Sequence, residues 1–186
     1  MRNTLIWCTA VLLLLVGSGA AAQEDYEEAT VPDYAFGIGV GLVDPEPEVE
    51  PYYTASFRIR LGEHDRDEYE YDGGIQAFIE PEVGYWESDT DSDTLLGVNL
   101  LGLIPFRKVD YFFGVGAGVH FMDTERPTST GDLDDSEERV GMNAQFGIDV
   151  HVSERTVIYG LGRFDLIEGT DNEIQDKLVL GLRFLF

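Results

Sequence analysis

Apolar residues recur at every second position through most of this chain. The clearest run is its last, Lys177 to Phe186, where Leu178, Leu180, Leu182, Phe184 and Phe186 share one face. Lys177, Gly181 and Arg183 share the other with Val179 and Leu185. A period of two predicts a β-strand with one apolar side. A strand this apolar at the very end of the chain predicts a sheet that closes on its own first strand.

Seven further segments alternate in the same way. From Asp33 to Val43, Tyr34, Phe36, Ile38, Val40 and Leu42 oppose Ala35, Gly37, Gly39 and Gly41. Glycines weaken a strand, but inside a narrow barrel they admit large side chains from across the lumen. The prolines of Asp44–Pro51 predict a loop. From Tyr52 to Leu61, Tyr53, Ala55, Phe57, Ile59 and Leu61 oppose Thr54, Ser56, Arg58 and Arg60. After a turn at Gly62–Asp67, a third strand starts at Tyr69 and Tyr71 and runs through Gly73 to Trp86. It turns Gln76, Phe78, Glu80, Glu82, Gly84 and Trp86 inward. Tyr69 and Tyr71 at one end and Tyr85 at the other predict aromatic girdles. Pro81 predicts a bulge.

Glu87–Asp93 is expected to be a solvated acidic loop. Thr94–Ile104 follows, with Leu96, Val98 and Leu100 outward because Asn99 belongs in the lumen. Tyr111–Met122 turns Phe113, Val115, Ala117, Val119 and Phe121 outward. Phe112, Gly114, Gly116, Gly118, His120 and Met122 turn inward. Asp123–Glu138 is expected to be the longest loop. Arg139–His151 points Asn143, Gln145, Gly147, Asp149 and His151 inward, with His151, beside a turn, expected to be solvated. Thr156–Leu166 admits two phases. One turns Tyr159, Arg163 and Asp165 inward; the other starts with Val157 and Tyr159 outward. Ile167–Gln175 is a loop before the closing strand.

Each of the eight strands is long enough to cross a bilayer at a tilt. The expected fold is all-β, an eight-stranded antiparallel up-and-down transmembrane β-barrel. Connections after the second, fourth and sixth strands are expected to be short, and those after the third, fifth and seventh longer and acidic. That alternation places both termini in the periplasm.

Composition adds to this picture. Residues 1–22 read as a signal peptide: Arg2 is basic, Leu12–Leu15 lie in an apolar core, and Ala20 and Ala22 suit cleavage before Gln23. Cys8, the single cysteine, lies within that core, which argues against a lipoprotein and leaves no disulfide in the mature chain. Residues 23–32 form a flexible acidic leader and 33–186 the barrel domain. The net charge of −24 excludes nucleic acid as a partner, because no basic patch exists to neutralise phosphate.

Several strands resemble those of the small eight-stranded bacterial outer-membrane β-barrel domain family. They are Glu82–Trp86, Gly97–Gly102 and Gly114–Phe121, with Gly162–Phe164 and Gly181–Phe184 resembling its closing hairpin. The resemblance implies residence in the outer membrane of a Gram-negative envelope, with outer-membrane lipid and the barrel assembly machinery as partners. It also implies that Phe184 and Phe186 belong to a C-terminal assembly signal. Members of the family serve as structural tethers, adhesion and immune-evasion proteins, porin-like small-solute channels or lipid-modifying enzymes. The family has no family-wide catalytic motif to carry over to this chain.

The expected role is therefore structural or surface-interacting, with acidic external loops open to a surface ligand. No cofactor, metal or enzymatic activity is expected. Asp89, Asp91 and Asp93 are spaced like the start of a calcium loop, but Leu100 stands where its closing glutamate would be. The lumen should hold Arg58, Arg60, Glu80, Glu82, His120, Asp149, Arg163, Asp165, Lys177 and Arg183. If those charges pair, with Arg58 and Arg60 near Glu80 and Glu82, they plug it. If they separate by sign, they line a narrow channel. A lipid-modifying enzyme would need a nucleophile beside His120, and no serine has an evident claim to that place. A soluble periplasmic sandwich or lipocalin-like binder would purify without detergent. Deleting Phe186 is expected to lower the amount of barrel recovered in the outer-membrane fraction. Undiminished levels of the truncated protein would argue against the assembly-signal role.

Overall fold

The alternation forms eight strands. A computed structural model describes residues 33–44, 49–62, 75–106, 108–128, 131–169 and 173–186. The strands are β1 (Tyr34–Asp44), β2 (Glu50–Leu61), β3 (Gln76–Glu87), β4 (Asp91–Ile104), β5 (Val109–Thr128), β6 (Gly131–Ser153), β7 (Thr156–Ile167) and β8 (Glu173–Leu185). Each pairs antiparallel with the next and β1 pairs with β8, so the sheet closes as the alternation predicts. At the seam Phe186 N–H donates to the Tyr34 carbonyl at 2.9 Å. The expected signal peptide and leader, and Tyr69, Tyr71 and Gly73, lie outside the described residues.

The register determines the width. A row of directly paired residues leaves β1 at Tyr34 and passes through Ile59, Ile79, Leu100, Val115, Ala144, Phe164 and Asp176. It returns to β1 at Asp44, ten residues further along. With a rise of ~3.4 Å per residue and ~4.8 Å between strands, that stagger tilts the strands by roughly 41° and sets a radius of roughly 8 Å. Side chains fill an interior of that size.

The phases follow the alternation. Outward positions carry exposed apolar side chains all round the wall, among them Ile38, Phe57, Val98, Val115, Met142, Phe164 and Leu180. On β7, Val157, Tyr159, Leu161, Arg163 and Asp165 are buried while Ile158, Phe164 and Leu166 are exposed. That selects the phase with Tyr159, Arg163 and Asp165 inward. Large inner rings lie on neighbouring glycines. A Cβ at Gly84 would come within 2.7 Å of the Tyr52 ring, and Tyr159 and Phe112 crowd Gly181 and Gly147 in the same way.

The boundaries differ where polarity conceals a strand. Asp123–Glu138 is not a loop: the β5–β6 ladder continues to Thr128 opposite Gly131. Polar residues on both faces of that ribbon erase the period-two contrast while the backbone bonding persists. For the same reason Asp91–Asp93 belongs to β4, and Glu173 and Gln175 to β8. Pro51 pairs with Leu42 inside β2, in a stretch that β3 does not reach, so its missing N–H costs no bond there. Pro81 causes no bulge. The β2–β3 register is the same before and after it, at Ser56↔Glu82 and Ile59↔Ile79, and pairing merely lapses between. The longer connections expected after the third and fifth strands are short, three residues after β3 and two after β5, while the expected turn between β2 and β3 lies largely outside the described residues.

Gly84→Val should lower the thermal midpoint of the folded barrel, overpacking of this kind costing about 1–3 kcal/mol. Adding Tyr52→Leu should recover part of the loss. Heat-dependent gel migration measures both, and equal midpoints for the single and double variants would refute the Tyr52–Gly84 packing.

Candidate functional site

The inward phase gathers the chain's charged strand residues in the lumen. Arg58, Glu80, Glu82, Asp93, His120, Asp149, Arg163, Asp165, Lys177 and Arg183 are all buried. Burying an unpaired charge costs several kcal/mol, so its partners decide what the site is.

Asp149 centres the tier nearer the chain termini. Its Oδ2 accepts from Arg58 Nη1 at 2.9 Å, and its Oδ1 accepts from Arg183 Nη1. Glu80 Oε2 accepts from Arg58 Nε at 3.0 Å and lies 3.6 Å from Arg183 Nη2. Arg58 on β2 and Asp149 on β6 are not neighbours in the sheet, so their bond crosses the lumen. Aromatic faces complete the tier. The Phe112 centroid is 4.9 Å from the Arg58 guanidinium carbon and 5.5 Å from that of Arg183, which also lies 4.4 Å from the Tyr159 centroid. Such contacts are worth about 0.5–2 kcal/mol each.

A second tier lies further along the axis. Arg163 Nε donates to both Asp165 oxygens, at 2.8 and 3.0 Å, and its Nη1 pairs with Glu82 across the lumen. Lys177 Nζ is 3.0 Å from Asp165 Oδ2 and 4.7 Å from the Tyr52 centroid. Each tier sets two cations against two carboxylates.

Histidine–aspartate pairs sit beyond the tiers. Near the far end, His120 Nδ1 is 2.7 Å from Asp93 Oδ2, both almost wholly buried. At the terminal end, His151 Nε2 is 2.7 Å from Asp110 Oδ2, so His151 is not freely solvated as its place beside a turn suggests. Arg60 shares the inner face but is only partly buried, and Phe78, not Glu82, is its direct cross-strand partner. The Cα of Glu82 lies opposite Ser56. Some polar atoms have no protein partner, including Asn99 Oδ1, Asn143 Oδ1 and both amide atoms of Gln145.

Sequence reasoning misses Asp93, Asp110 and the role of His151. The signal for Asp93 was present, since it is in phase with Leu95, Gly97 and Asn99 on the inner face of β4. The calcium reading of Asp89, Asp91 and Asp93 gains no support, for Asp93 faces His120. Among the described residues no group of three or more metal-ligating side chains is gathered.

No family model and no curated protein matches this chain. Solved structures share its fold. Neisserial surface protein A (NspA) is 10% identical with a TM-score of 0.57, over 82% of this chain and 96% of that one. Ail, the attachment invasion locus protein of Yersinia pestis, is 12% identical with a TM-score of 0.56, over 84% and 100%. The outer membrane enzyme PagL is 13% identical with a TM-score of 0.52, over 82% and 99%. These likenesses define the class, eight-stranded antiparallel β-barrels. That one shape serves an attachment protein and an enzyme alike shows that function must be argued from the site.

Asp149→Ala leaves Arg58 and Arg183 without their shared carboxylate. It should destabilise the barrel by about 3–5 kcal/mol, as loss of one partner of a buried pair does. Glu82→Ala should act similarly through Arg163. Urea unfolding in lipid vesicles, followed by Trp86 fluorescence, measures both, and losses below ~1 kcal/mol would mean that water solvates these arginines.

Proposed function

We propose that this protein is an outer-membrane β-barrel with a structural or surface-interaction role and a lumen closed to ions and solutes. The observation that carries the reading is charge pairing across an interior only about 8 Å in radius. Four buried cations meet four carboxylates in two tiers, with aromatic rings between them. A conducting path needs charges separated by sign or facing water. Here they bind one another.

The membrane assignment rests on the wall. Water does not tolerate a continuous belt of exposed Phe, Leu, Ile and Val, and a closed barrel is one of two ways a backbone can cross lipid with every polar group paired. The outward apolar run of β1, Tyr34–Leu42, covers nine residues. At the tilt above it spans roughly 23 Å, close to the ~25 Å apolar band of such barrels. Tyr34 and Tyr111 lie toward one margin of the belt, and Tyr53 and Tyr85 toward the other, where aromatic girdles belong.

The even strand number brings both termini to one end. We assign that end to the periplasm, since the β5–β6 ribbon projects from the other. Outer-membrane lipid and the barrel assembly machinery are the partners this assignment implies. No catalytic role is assigned: Asp93 occupies His120 Nδ1, and the Nε2 side of the ring rests against Gly141.

The test is a planar bilayer. Protein recovered from the outer-membrane fraction, folded by its heat-dependent gel migration, should give no unitary conductance after reconstitution. Stable, voltage-tolerant openings of the unmodified protein would overturn the closed lumen, and recovery in the soluble periplasmic fraction would overturn the membrane assignment.

A further inference from the structure

β5 and β6 outgrow the barrel. β4 pairs with β5 only as far as Thr124, and β7 pairs with β6 only from Gly141 onward. One more bond, from Glu168 N–H to the Val140 carbonyl at 2.8 Å, ends the contact. From Gly131 to Arg139, nine residues, β6 is bonded through its backbone to β5 alone among the described residues. An antiparallel strand directs alternate pairs of N–H and C=O groups to its two sides. About half of those on this stretch of β6 therefore point away from β5.

Protein sheets blunt such edges with charged side chains, lysine above all, or with proline or bulges, because an open edge recruits another strand; acids blunt it only towards strands of like charge. Gly131–Arg139 contains neither lysine nor proline, and its register with β5 is unbroken. It carries Asp132, Asp134, Asp135, Glu137 and Glu138 against the single cation Arg139, and Arg139 is engaged by Glu137 and Glu173 at the root of the ribbon. A second copy of this edge would bring like charges together, which disfavours self-pairing. The same charges favour a basic strand.

We propose that the β6 edge from Gly131 to Arg139 takes an extended, basic polypeptide segment as an added strand. The backbone of the edge supplies the hydrogen bonds and the acidic side chains supply the selection. This rests on the reading that the ribbon faces the cell exterior, but the pairing is a property of the edge and can be measured in detergent.

The probe is a nine-residue peptide alternating valine and lysine. Two controls accompany it: the same peptide with glutamate for lysine, and the lysine peptide with alternate backbone amides N-methylated along one edge. The folded full chain in micelles should bind the lysine peptide at least ten-fold more tightly than either control. Hydrogen exchange at alternate amides of Gly131–Arg139 should slow at least ten-fold on binding. Glu137→Lys with Glu138→Lys should weaken the lysine peptide and leave heat-dependent migration unchanged. Equal binding of the N-methylated peptide would overturn strand addition and leave charge attraction alone. Protection elsewhere, or none, would overturn the site. A protein that stays silent in the bilayer but ignores the peptide loses only this inference, whereas one that conducts but binds the peptide loses only the closed lumen.

Discussion

A guanidinium removed from water must meet an anion nearby, and the architecture here follows from that requirement. Asp149 meets two, one from β2 and one from β8, from its own place on β6. Because those strands are not adjacent, the contacts brace the wall across its diameter where backbone bonds can brace it only around the circumference. The narrow radius makes this possible. In a wider barrel the same side chains would reach water first, and the inward alternation would line a channel.

The glycines belong to the same solution. A Tyr or Phe ring needs a place on the wall, and a glycine on or near the adjoining strand provides it. Tyr159 packs against Gly39 and Gly181, and Phe112 against Gly147. The rings then present their faces to Arg58 and Arg183, so one set of side chains serves both as filler and as the second half of each cation's environment. Hydrogen bonding is less complete than packing: Asn99 Oδ1, Asn143 Oδ1 and both amide atoms of Gln145 have no protein partner, although Asn99 and Asn143 crowd Gly116.

Much of the fold was legible because barrel strands with an apolar outer face carry their signal in contrast between faces. Tyr34–Leu42 and Leu178–Phe186 could be phased residue by residue. Where the contrast disappears, so does legibility: Asp123–Glu138 reads as a loop although β5 and β6 are laddered through it as far as Thr128 and Gly131. Inner-face membership was readable for Arg58, Glu80, Arg163 and Lys177. Partner choice was not, since Arg58 meets Asp149 only through the stagger of the closed sheet, a quantity that no local pattern contains. Asp93 was lost by drawing the boundary of β4 three residues too late.

The interior claims Arg58, Arg163, Lys177 and Arg183, a third of the twelve basic residues in the whole sequence. Inward, they are matched by carboxylates. Outside, the remaining acids have correspondingly few fixed counter-charges, and mobile ions must supply the difference over a distance of about 8 Å at physiological salt. Neighbouring copies in a membrane would feel that imbalance as a lateral repulsion. How densely the protein can be packed would thus become a function of the electrolyte bathing the surface, and the arrangement that fills the barrel's interior would also set the spacing between barrels.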